Sequence, residues 1–530
     1  MIRSSLQDGI DILATGQDIE ALRRVLVIAM LCRYAKLPAT GQVAPTDNSA
    51  SALSVLLSQL PTKPVASLAS IVKGKTGIKD ARPGKFPLVV TAEARASTDH
   101  FDFEGPGVII PTVSSTGHGD ASLKRIHYQE GQYAVGSILA VLQPMDATIL
   151  SARYLHAYLS VFKDELLVSR MVGTANVSLT VAKIGTIPVP LLPIVGQRKI
   201  DALMALCDRL EAEQADGESA QVKLVETLLS TLTQSTDDAS FAATWKRISQ
   251  HFDTIFTSEF SVDALKQTVI QLAVKGRLVP QDPNDEPADK LLMRIAELRT
   301  ERLASGYPNV DEAATQRKKQ DKQSCPDGPA ELPIGWSWAT LMQCAELVID
   351  CHNKTAPYSS SGIPLLRTTN IRHGSLNMRE LKFVEPEIYE RWSARCKPRP
   401  GDILITREAP MGEACIIPVG MTICMGQRIM LIRLVEGTFN SRFFLYTLLA
   451  PDLMDRVQDK PVGATVEHLR VGGVETLLVP VPPLAEQNRI VKKVDELMAL
   501  CDNLKADLAK ARQRHRQLAL TLIDSALKAA

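Results

Sequence analysis

The sequence offers little that would place the chain in a membrane, in an oxidising compartment or around a metal ion. Its longest apolar run near the start, Val25 to Leu31, is far shorter than the roughly 20 residues that cross a bilayer, and we expect no secretory signal. Nine cysteines are scattered without a CxxC pair, which is typical of reduced cytosolic thiols and not of disulfides or zinc ligands. The formal net charge of +1 excludes a protein that coats nucleic acid by bulk charge, but not one with local basic patches.

Signatures of catalysis are also missing. Gly74-Lys75-Thr76 resembles the end of a phosphate-binding loop, but the glycine required five positions earlier is replaced by Ala69. Asp402 and Glu408 flank a predicted strand, as nuclease carboxylates can, but no lysine stands two residues after Glu408. The HExxH and GxSxG motifs do not occur either. These absences favour a binding function over a catalytic one.

The most informative feature is an internal repeat. With 530 residues the chain is too long for one ordinary core, and Leu203–Leu210 recurs 294 positions later as Leu497–Leu504. Upstream the offset is 290, so the first copy lacks four residues between Ile200 and Leu203. A frame that occurs twice indicates one architectural unit used twice. Matches at the upstream offset join Gly173, Leu179, Val189, Pro190 and Gln197 to Gly463, Leu469, Val479, Pro480 and Gln487.

Each copy ends in a pattern whose apolar residues alternate by four and three positions, which predicts a helix with a coiled-coil seam. From residue 487 to 527 such a helix is about 60 Å long. We expect the two long helices to pair antiparallel, because a lone apolar seam needs cover. The predicted seam comprises Leu203, Cys207, Leu210, Leu224, Leu228, Leu497, Cys501, Leu504, Leu508, Leu518 and Leu522.

Between the repeated segments lie two variable regions that share little sequence. Runs such as Phe86 to Thr91 and Ile429 to Leu434, bounded by glycine and proline, predict strands. Ala152 to Leu166 and Ser441 to Leu449 read as helices. The predicted fold is therefore mixed α/β, with two globular domains joined by two long antiparallel coiled-coil helices and related by an internal pseudo-two-fold repeat.

The repeat and the changes in composition also give domain boundaries. The polar stretch Tyr307 to Glu331 is expected to be an exposed linker. The boundaries predict an N-terminal helical segment (1–64), a first variable domain (65–196), a central long helix and helical region (197–260), a helical segment with linker (261–331), a second variable domain (332–485) and a C-terminal long helix (486–530).

Basic residues cluster inside both variable domains although the chain as a whole is nearly neutral. Between Ile71 and Arg95 there are six basic and two acidic residues, and between Arg391 and Arg433 there are seven basic and three acidic ones. Such local excess fits DNA that is contacted in two places, although a charge cluster is more often a solvated face.

Five segments carry a resemblance to a known family. They are Ile187–Gln197, Val479–Gln487, Val494–Asp502, Leu272–Pro283 and Leu332–Trp338. Together these segments resemble the specificity subunit of type I restriction-modification systems, in both halves of the chain. The first copy departs from the family, because Ile-Val-Gly-Gln at its helix start replaces the usual Leu-Ala-Glu-Gln.

The resemblance implies two target-recognition domains that each read one part of a split, asymmetric site on double-stranded DNA. It implies docking of two methyltransferase subunits on the helical frame and, in a full system, of two restriction (motor-nuclease) subunits. S-adenosylmethionine, ATP and magnesium are expected on those partners, and no cofactor or metal on this chain. The implied protein is a non-catalytic, cytoplasmic subunit.

Charge and loop position select the candidate DNA contacts, since arginine pairs with guanine and asparagine or glutamine with adenine. Two other interpretations stay open on the sequence, a repeat scaffold that binds proteins without a DNA role and an enzyme with an unrecognised nuclease site. The candidates are Lys73, Lys75, Lys79, Arg82, Lys85, Arg95, Lys124 and Arg125 in the first domain, and Lys354, Arg367, Asn370, Arg372, Arg407, Gln427 and Arg428 in the second.

The predicted seam can be tested by placing a charge on it. Leu210→Asp and Leu504→Asp should each disrupt the helical frame and abolish methyltransferase assembly, because an unpaired carboxylate on an apolar seam costs several kcal/mol. Thermal denaturation and size-exclusion chromatography measure the effect. A full complex with normal thermal stability would show that the seam is assigned wrongly.

Overall fold

A computed structural model describes residues 19–35, 49–77, 81–115, 121–173, 177–235, 237–324, 327–352, 354–453 and 469–529. The chain divides into two compact units. Unit 1 contains residues 1–220 and 509–530, and unit 2 contains residues 221–508. Each unit combines helices with small β-sheets, which confirms the predicted mixed α/β class.

In the part of unit 1 that the structure describes, two helices precede an α/β module, residues 62–190, called here the first module. The helices of unit 1 before the first long helix are α1 (Ile19–Tyr34), α2 (Ser49–Gln59), α3 (Ala152–Val161), α4 (Lys163–Leu166) and α5 (Val181–Gly185). Its strands are β1 (Thr62–Pro64), β2 (Ala69–Lys73), β3 (Phe86–Val89), β4 (Ala96–Thr98), β5 (Phe103–Glu104), β6 (Gly107–Pro111), β7 (His127–Gln129), β8 (Gln132–Val135), β9 (Leu139–Pro144) and β10 (Pro188–Pro190).

A long helix, α6 (Ile194–Gln234), passes from unit 1 into unit 2. Unit 2 contains the second module, residues 337–481. The helices of unit 2 between the two long helices are α7 (Asp238–Gln250), α8 (Phe252–Ile255), α9 (Glu259–Val274), α10 (Ala288–Ala304), α11 (Val310–Gln320), α12 (Leu341–Cys344), α13 (Pro386–Trp392), α14 (Ser441–Leu449) and α15 (Val471–Glu475). A final long helix, α16 (Leu484–Ala529), leads back into unit 1.

The strands of unit 2 are β11 (Ser337–Thr340), β12 (Ala345–Asp350), β13 (Ile363–Leu366), β14 (Ile371–Arg372), β15 (Ser375–Leu376), β16 (Lys382–Val384), β17 (Ile403–Thr406), β18 (Ala414–Ile416), β19 (Cys424–Met425), β20 (Ile429–Leu434) and β21 (Leu478–Val481). The main sheet has the order β2-β9-β6-β7 in the first module and β12-β20-β17-β18 in the second. A second sheet contains the parallel pair β3/β8 or β13/β19. The two modules therefore share one topology despite their different sequences.

A short antiparallel strand pair joins each module to the helix that follows it. In the first module β1 pairs with β10, and in the second β11 pairs with β21. The Val65 N–H donates to the Ile187 carbonyl at 2.9 Å, and the Leu341 N–H donates to the Leu477 carbonyl at 2.7 Å. Each repeated Val-Pro segment is thus the strand that closes a module before its long helix begins.

A buried glutamine in the first turns of each long helix ties the helix to its module. The Gln197 amide accepts from the Ser151 N–H at 2.8 Å and donates to the carbonyls of Ile149 at 2.8 Å and Leu192 at 2.9 Å. The Gln487 amide accepts from the Asn440 N–H at 2.9 Å and donates to the Pro482 carbonyl at 3.0 Å. Both glutamines are fully buried, so the repeated Gln is a structural link.

The departure at the start of the first long helix has a packing reason. Gly196 lies against the Tyr34 ring, and a Cβ at that position would be 2.5 Å from the Tyr34 Cζ atom. The second copy has Glu486 there, buried and accepting from the Trp336 Nε1–H at 2.9 Å. Each sequence therefore fits its own neighbour, and both helices begin at equivalent residues.

The structure buries some of the predicted seam positions and exposes others. Leu203, Cys207 and Leu210 pack into the core of unit 1, while Cys501, Leu504 and Leu508 pack in one cluster with the end of α6 in unit 2. Leu497 packs in the core of the second module and Leu228 beside the unit 2 cluster. Leu224 and Leu518 are about half exposed, at 51% and 50%, and the Leu522 side chain lies outside what the structure describes.

The seam of α6 is corrected at its end. Val225, Leu229 and Leu232 are the buried positions there, one residue along from the predicted Leu224 and Leu228. Helices α8 and α9 cover this buried face of α6, and Gln221 donates to the Ile255 carbonyl at 3.2 Å. These helices, and not the heptad alone, decide which face is buried.

Ion pairs repeat at the same place in both halves. In unit 1, Arg23 of α1 pairs with Asp208 of α6 at 2.7 Å. In unit 2, Lys266 of α9 pairs with Asp502 of α16. Exposed pairs of this kind contribute about 0–1 kcal/mol, so they fix the register between helices more than they stabilise the fold.

The segment predicted as an exposed linker, Tyr307 to Glu331, contains helix α11, which corrects that prediction. The helix begins after Asn309, whose side chain accepts from the Glu312 N–H at 2.9 Å. Gln316 is fully buried, and its amide donates to the Val348 carbonyl at 2.9 Å and accepts from the Val348 N–H at 3.3 Å. The helix therefore covers the outer edge of β12.

The glutamine link gives a stability prediction. Gln197→Ala removes one acceptor and two donors from the buried module–helix junction and leaves main-chain groups unpaired, which costs about 1–3 kcal/mol. We expect a lower melting temperature and faster hydrogen exchange of the Ser151 amide. Gln513→Ala, on an exposed position of α16, is the matched control and should change neither quantity. Unchanged exchange at Ser151 in Gln197→Ala would contradict the role of the link.

Candidate nucleic-acid interface

The same chain segments meet at one end of the main sheet in both modules. In the first module the Thr112 N–H after β6 donates to the Ile138 carbonyl before β9 at 2.9 Å. In the second the Arg407 N–H after β17 donates to the Arg428 carbonyl before β20 at 2.8 Å. We call this region the loop end of each module. Its backbone is shared, but threonine and isoleucine in one module stand where the other has two arginines.

Cationic side chains at the second loop end are held by carboxylates. The Arg407 Nη2 atom lies 3.4 Å from Asp350 Oδ1, and the Arg428 Nε atom lies 2.5 Å from Glu408 Oε1. Arg428 is half exposed on its side chain, whereas Arg407 is mostly covered. The two pairs orient the guanidinium groups without burying the Arg428 head group.

Loops after β12 and before β20 add polar groups to the same place. The Thr355 hydroxyl donates to Gln427 Oε1 at 3.1 Å, and the Arg428 N–H lies 3.1 Å from Cys351 Sγ. Lys354 is exposed in the same loop. The structure thus brings together four of the predicted contacts in this module, Lys354, Arg407, Gln427 and Arg428.

The other three predicted contacts of this module, Arg367, Asn370 and Arg372, build a loop. Asn370 is buried, accepts from the Arg367 N–H at 3.0 Å and donates to the Asn377 carbonyl at 3.0 Å. Arg372 donates to the Thr368 carbonyl at 2.6 Å. Asn370 therefore shapes the loop and does not offer its amide to solvent, which corrects the sequence-based choice of this residue as a base contact.

The first loop end carries lysines in place of arginines. Lys73 and Lys75 are exposed at the end of β2, on either side of Gly74, whose Cβ would lie 2.3 Å from the Gly136 carbonyl oxygen. The buried Thr76 hydroxyl donates to Asp102 Oδ2 at 2.9 Å. A glycine and a small hydroxyl residue thus let the β2 loop pack closely on the β8–β9 turn.

Arg82, Lys85 and Lys124 are exposed in loops of the first module. The Lys85 Nζ atom lies 4.8 Å from the centre of the Phe86 ring, a cation–π geometry. Lys79 lies outside the described residues.

Arg95 and Arg125 form a separate cluster around a buried histidine. The Arg95 Nη1 atom lies 3.1 Å from His127 Nδ1, and because a guanidinium only donates, Nδ1 must accept. Burial, followed by the charges of Arg95 and Arg125, lowers the pKa of His127 to about 4. Arg125 pairs with Glu93 at 2.7 Å. The histidine is therefore neutral at neutral pH and serves to hold Arg95.

The exposed arginine, amide and lysine groups at the loop ends are suited to hydrogen bonding with DNA. Guanidinium and amide groups pair with base edges in the major groove, whereas exposed lysines suit phosphate oxygens. Carboxylate partners such as Glu408 favour the first use for Arg428, because they repel phosphates and keep the guanidinium oriented.

Sequence reasoning missed two groups at the second loop end. Thr355 has no pattern that distinguishes it from other polar loop residues. Trp392 lies far away in sequence, yet its Nε1–H donates to the Lys354 carbonyl at 3.2 Å and its ring lies 4.5 Å from that of His352. Only the tertiary fold brings α13 beside the loop after β12.

Metal and membrane sites receive no support from the geometry. Within the ranges that the structure describes, no group of histidine, cysteine and carboxylate side chains is placed to hold a metal ion. Among the described helices, none combines the length and the apolarity that a bilayer crossing requires. The eight cysteines of the described ranges are buried free thiols.

Comparison with known proteins gives consistent matches. Residues 353–511 match the model of the type I restriction modification DNA specificity domain. The EcoAI specificity subunit of Escherichia coli is 35% identical over 349 residues, which are 64% of this chain and 58% of that protein. The EcoEI specificity subunit of Escherichia coli is 32% identical over 360 residues, again 64% and 58%.

The chain thus spans 58% of the length of these two relatives. A solved chain from a study of type I R-M system assembly aligns with 88% of this chain and 98% of its own length, at 17% identity and a TM-score of 0.48. The repeated frame, the matched domain and the two Escherichia coli relatives make this chain similar to the specificity subunits of type I restriction enzymes.

Proposed function

We propose that this chain reads a bipartite, asymmetric site on double-stranded DNA, with one half-site read by each module. The observation that carries the proposal is the shared backbone of the loop ends with different side chains on it. Thr112 and Ile138 occupy the positions that Arg407 and Arg428 occupy in the second module. Two equivalent surfaces with different chemistry are what an asymmetric site requires.

A long helix follows each module, and each of these helices has the length to span more than one turn of DNA. Helix α6 has 41 residues and α16 has 46, so each is about 60–70 Å long, compared with roughly 34 Å for one turn of the duplex.

The chain contributes recognition, and its partners contribute the chemistry. We propose two methyltransferase subunits that carry S-adenosylmethionine and, in a full system, two motor-nuclease subunits that use ATP and magnesium, in a cytoplasmic complex. The similarity to two specificity subunits supports this division.

The proposal is tested at Arg428. Arg428→Ala, in complex with the methyltransferase subunits, should reduce methylation of the native site about 5- to 150-fold, since one good bidentate base contact contributes about 1–3 kcal/mol of discrimination. Base preference should relax within the second half-site alone. Sequencing of methylated bases in genomic DNA of a host that expresses the complex measures both effects.

Arg514→Ala, on an exposed face of α16, is the matched control and should leave the methylated motif unchanged. Equal relaxation of both half-sites by Arg428→Ala would contradict the assignment of one half-site to each module. Failure of the wild-type complex to bind any duplex in a gel-shift assay would contradict the proposed function itself.

A further inference from the structure

A cavity of about 890 Å³ lies in unit 1 between the first module and the start of α6. Its wall includes Ser70 and Gln143 from neighbouring strands, Glu104 from the end of β5, Glu130 from the turn before β8, and Asp201 from α6. The fold leaves it where the strand ends of the main sheet meet the long helix. A cavity of this size can hold one or two side chains of a bound molecule.

One carboxylate in the cavity wall is incompletely paired. Asp201 Oδ2 accepts from the Ser151 hydroxyl at 2.6 Å, but Oδ1 is buried and has no hydrogen-bond partner among the described residues. Desolvation raises the pKa of this carboxyl group. A buried carboxylate oxygen without a donor is costly, and a cationic donor that enters the cavity would remove this cost.

The cations in the wall do not supply that donor. Arg153 is engaged elsewhere, since it lies 3.5 Å from Asp208 and 3.6 Å from Glu130, with its guanidinium 4.6 Å from the centre of the Tyr128 ring. The charges of Arg153 and Arg198 lower the pKa of Asp201, but among the described residues the hydrogen bond to its side chain comes from Ser151. The cavity therefore keeps room for a further positive group.

Exposed apolar side chains stand next in sequence to residues of the cavity wall. Met145 is 61% exposed, Ile149 46% and Val195 62%, and their neighbours Pro144, Leu150 and Ile194 line the cavity. We call Met145, Ile149 and Val195 the rim. Exposed apolar groups beside a pocket are typical of a protein interface.

The second half of the chain has no such rim. Strand register and the offset of the repeat place Val435, Phe439 and Ala485 at the equivalent positions. Val435 and Phe439 are buried, and Ala485 is small. The rim is thus a feature of the first half alone and does not follow from the shared fold.

The chemistry selects a protein over DNA as the occupant. The wall holds three carboxylates against two arginines, Arg153 and Arg198, so its net charge disfavours a phosphate backbone, whereas an arginine or lysine between apolar residues complements the cavity and its rim. We propose that the cavity and its rim dock one methyltransferase subunit, which inserts a basic side chain beside Asp201. The proposal rests on the proposed function and gives the two methyltransferase subunits unequal contacts, since this surface exists once per chain.

The test is the stoichiometry of assembly with the full-length chain. Met145→Ser, Ile149→Ser and Val195→Ser are combined in one variant, and Asp201→Asn is made separately, because asparagine can still accept from Ser151. Native mass spectrometry, with purified methyltransferase subunit titrated onto each chain, counts the bound copies. Val419→Ser, at a position 95% exposed in the second module, is the matched control.

We expect the wild type and the control to bind two subunits and both rim and Asp201 variants to bind one, with the affinity of the lost subunit reduced about tenfold or more, as for other interface hot spots. Two subunits bound at wild-type affinity by both variants would overturn the docking site alone. A wild-type chain that binds no methyltransferase subunit would overturn the proposed function.

A second measurement does not depend on how the variants fold. A photo-crosslinking amino acid at position 149 should capture the methyltransferase subunit within a few residues of an arginine or lysine, and the same group at position 419 should not. Capture of a segment that lacks a basic residue, or equal capture from both positions, would contradict the proposed contact.

Discussion

The buried glutamine at the start of each long helix is the interaction on which the rest of the structure depends. Gln197 and Gln487 hold main-chain groups of their modules at 2.8–3.0 Å. Main-chain groups are present whatever the module's side chains are, so this link fixes the module on its helix without restricting the module's sequence. A main-chain link of this kind explains how a repeated frame coexists with two variable domains whose sequences have diverged.

Main-chain hydrogen bonds also hold the loop ends in place. Hydrogen bonds between main-chain groups fix the loop after β6 or β17 against the turn before β9 or β20, which frees the side chains there to differ. The charged side chains at the loop ends also differ between the modules. Arg428 is held by Glu408, whereas Lys73 is exposed at the end of β2. A shared scaffold therefore carries two surfaces with different donors.

The two halves are not equivalent in their surroundings. In unit 2, α11 covers the edge of β12 through Gln316, and Val435 is buried. In unit 1, Met145 and Val195 are exposed beside a cavity that contains the unpaired oxygen of Asp201. The repeat therefore describes the frame and the topology, while the contacts around each module are individual.

The sequence by itself determined the elements that rest on local pattern. The repeat offsets located both long helices, and apolar runs between glycines and prolines located strands; Ser441–Leu449 is a helix with the predicted bounds. Tertiary structure alone decided the burial of Asn370, the helix α11 inside the presumed linker and the shift of the seam away from Leu224. Each of these depends on partners distant in the chain. A polar side chain becomes buried, and a polar segment becomes a packed helix, only when the fold supplies the main-chain groups that satisfy it, and no local pattern contains that information.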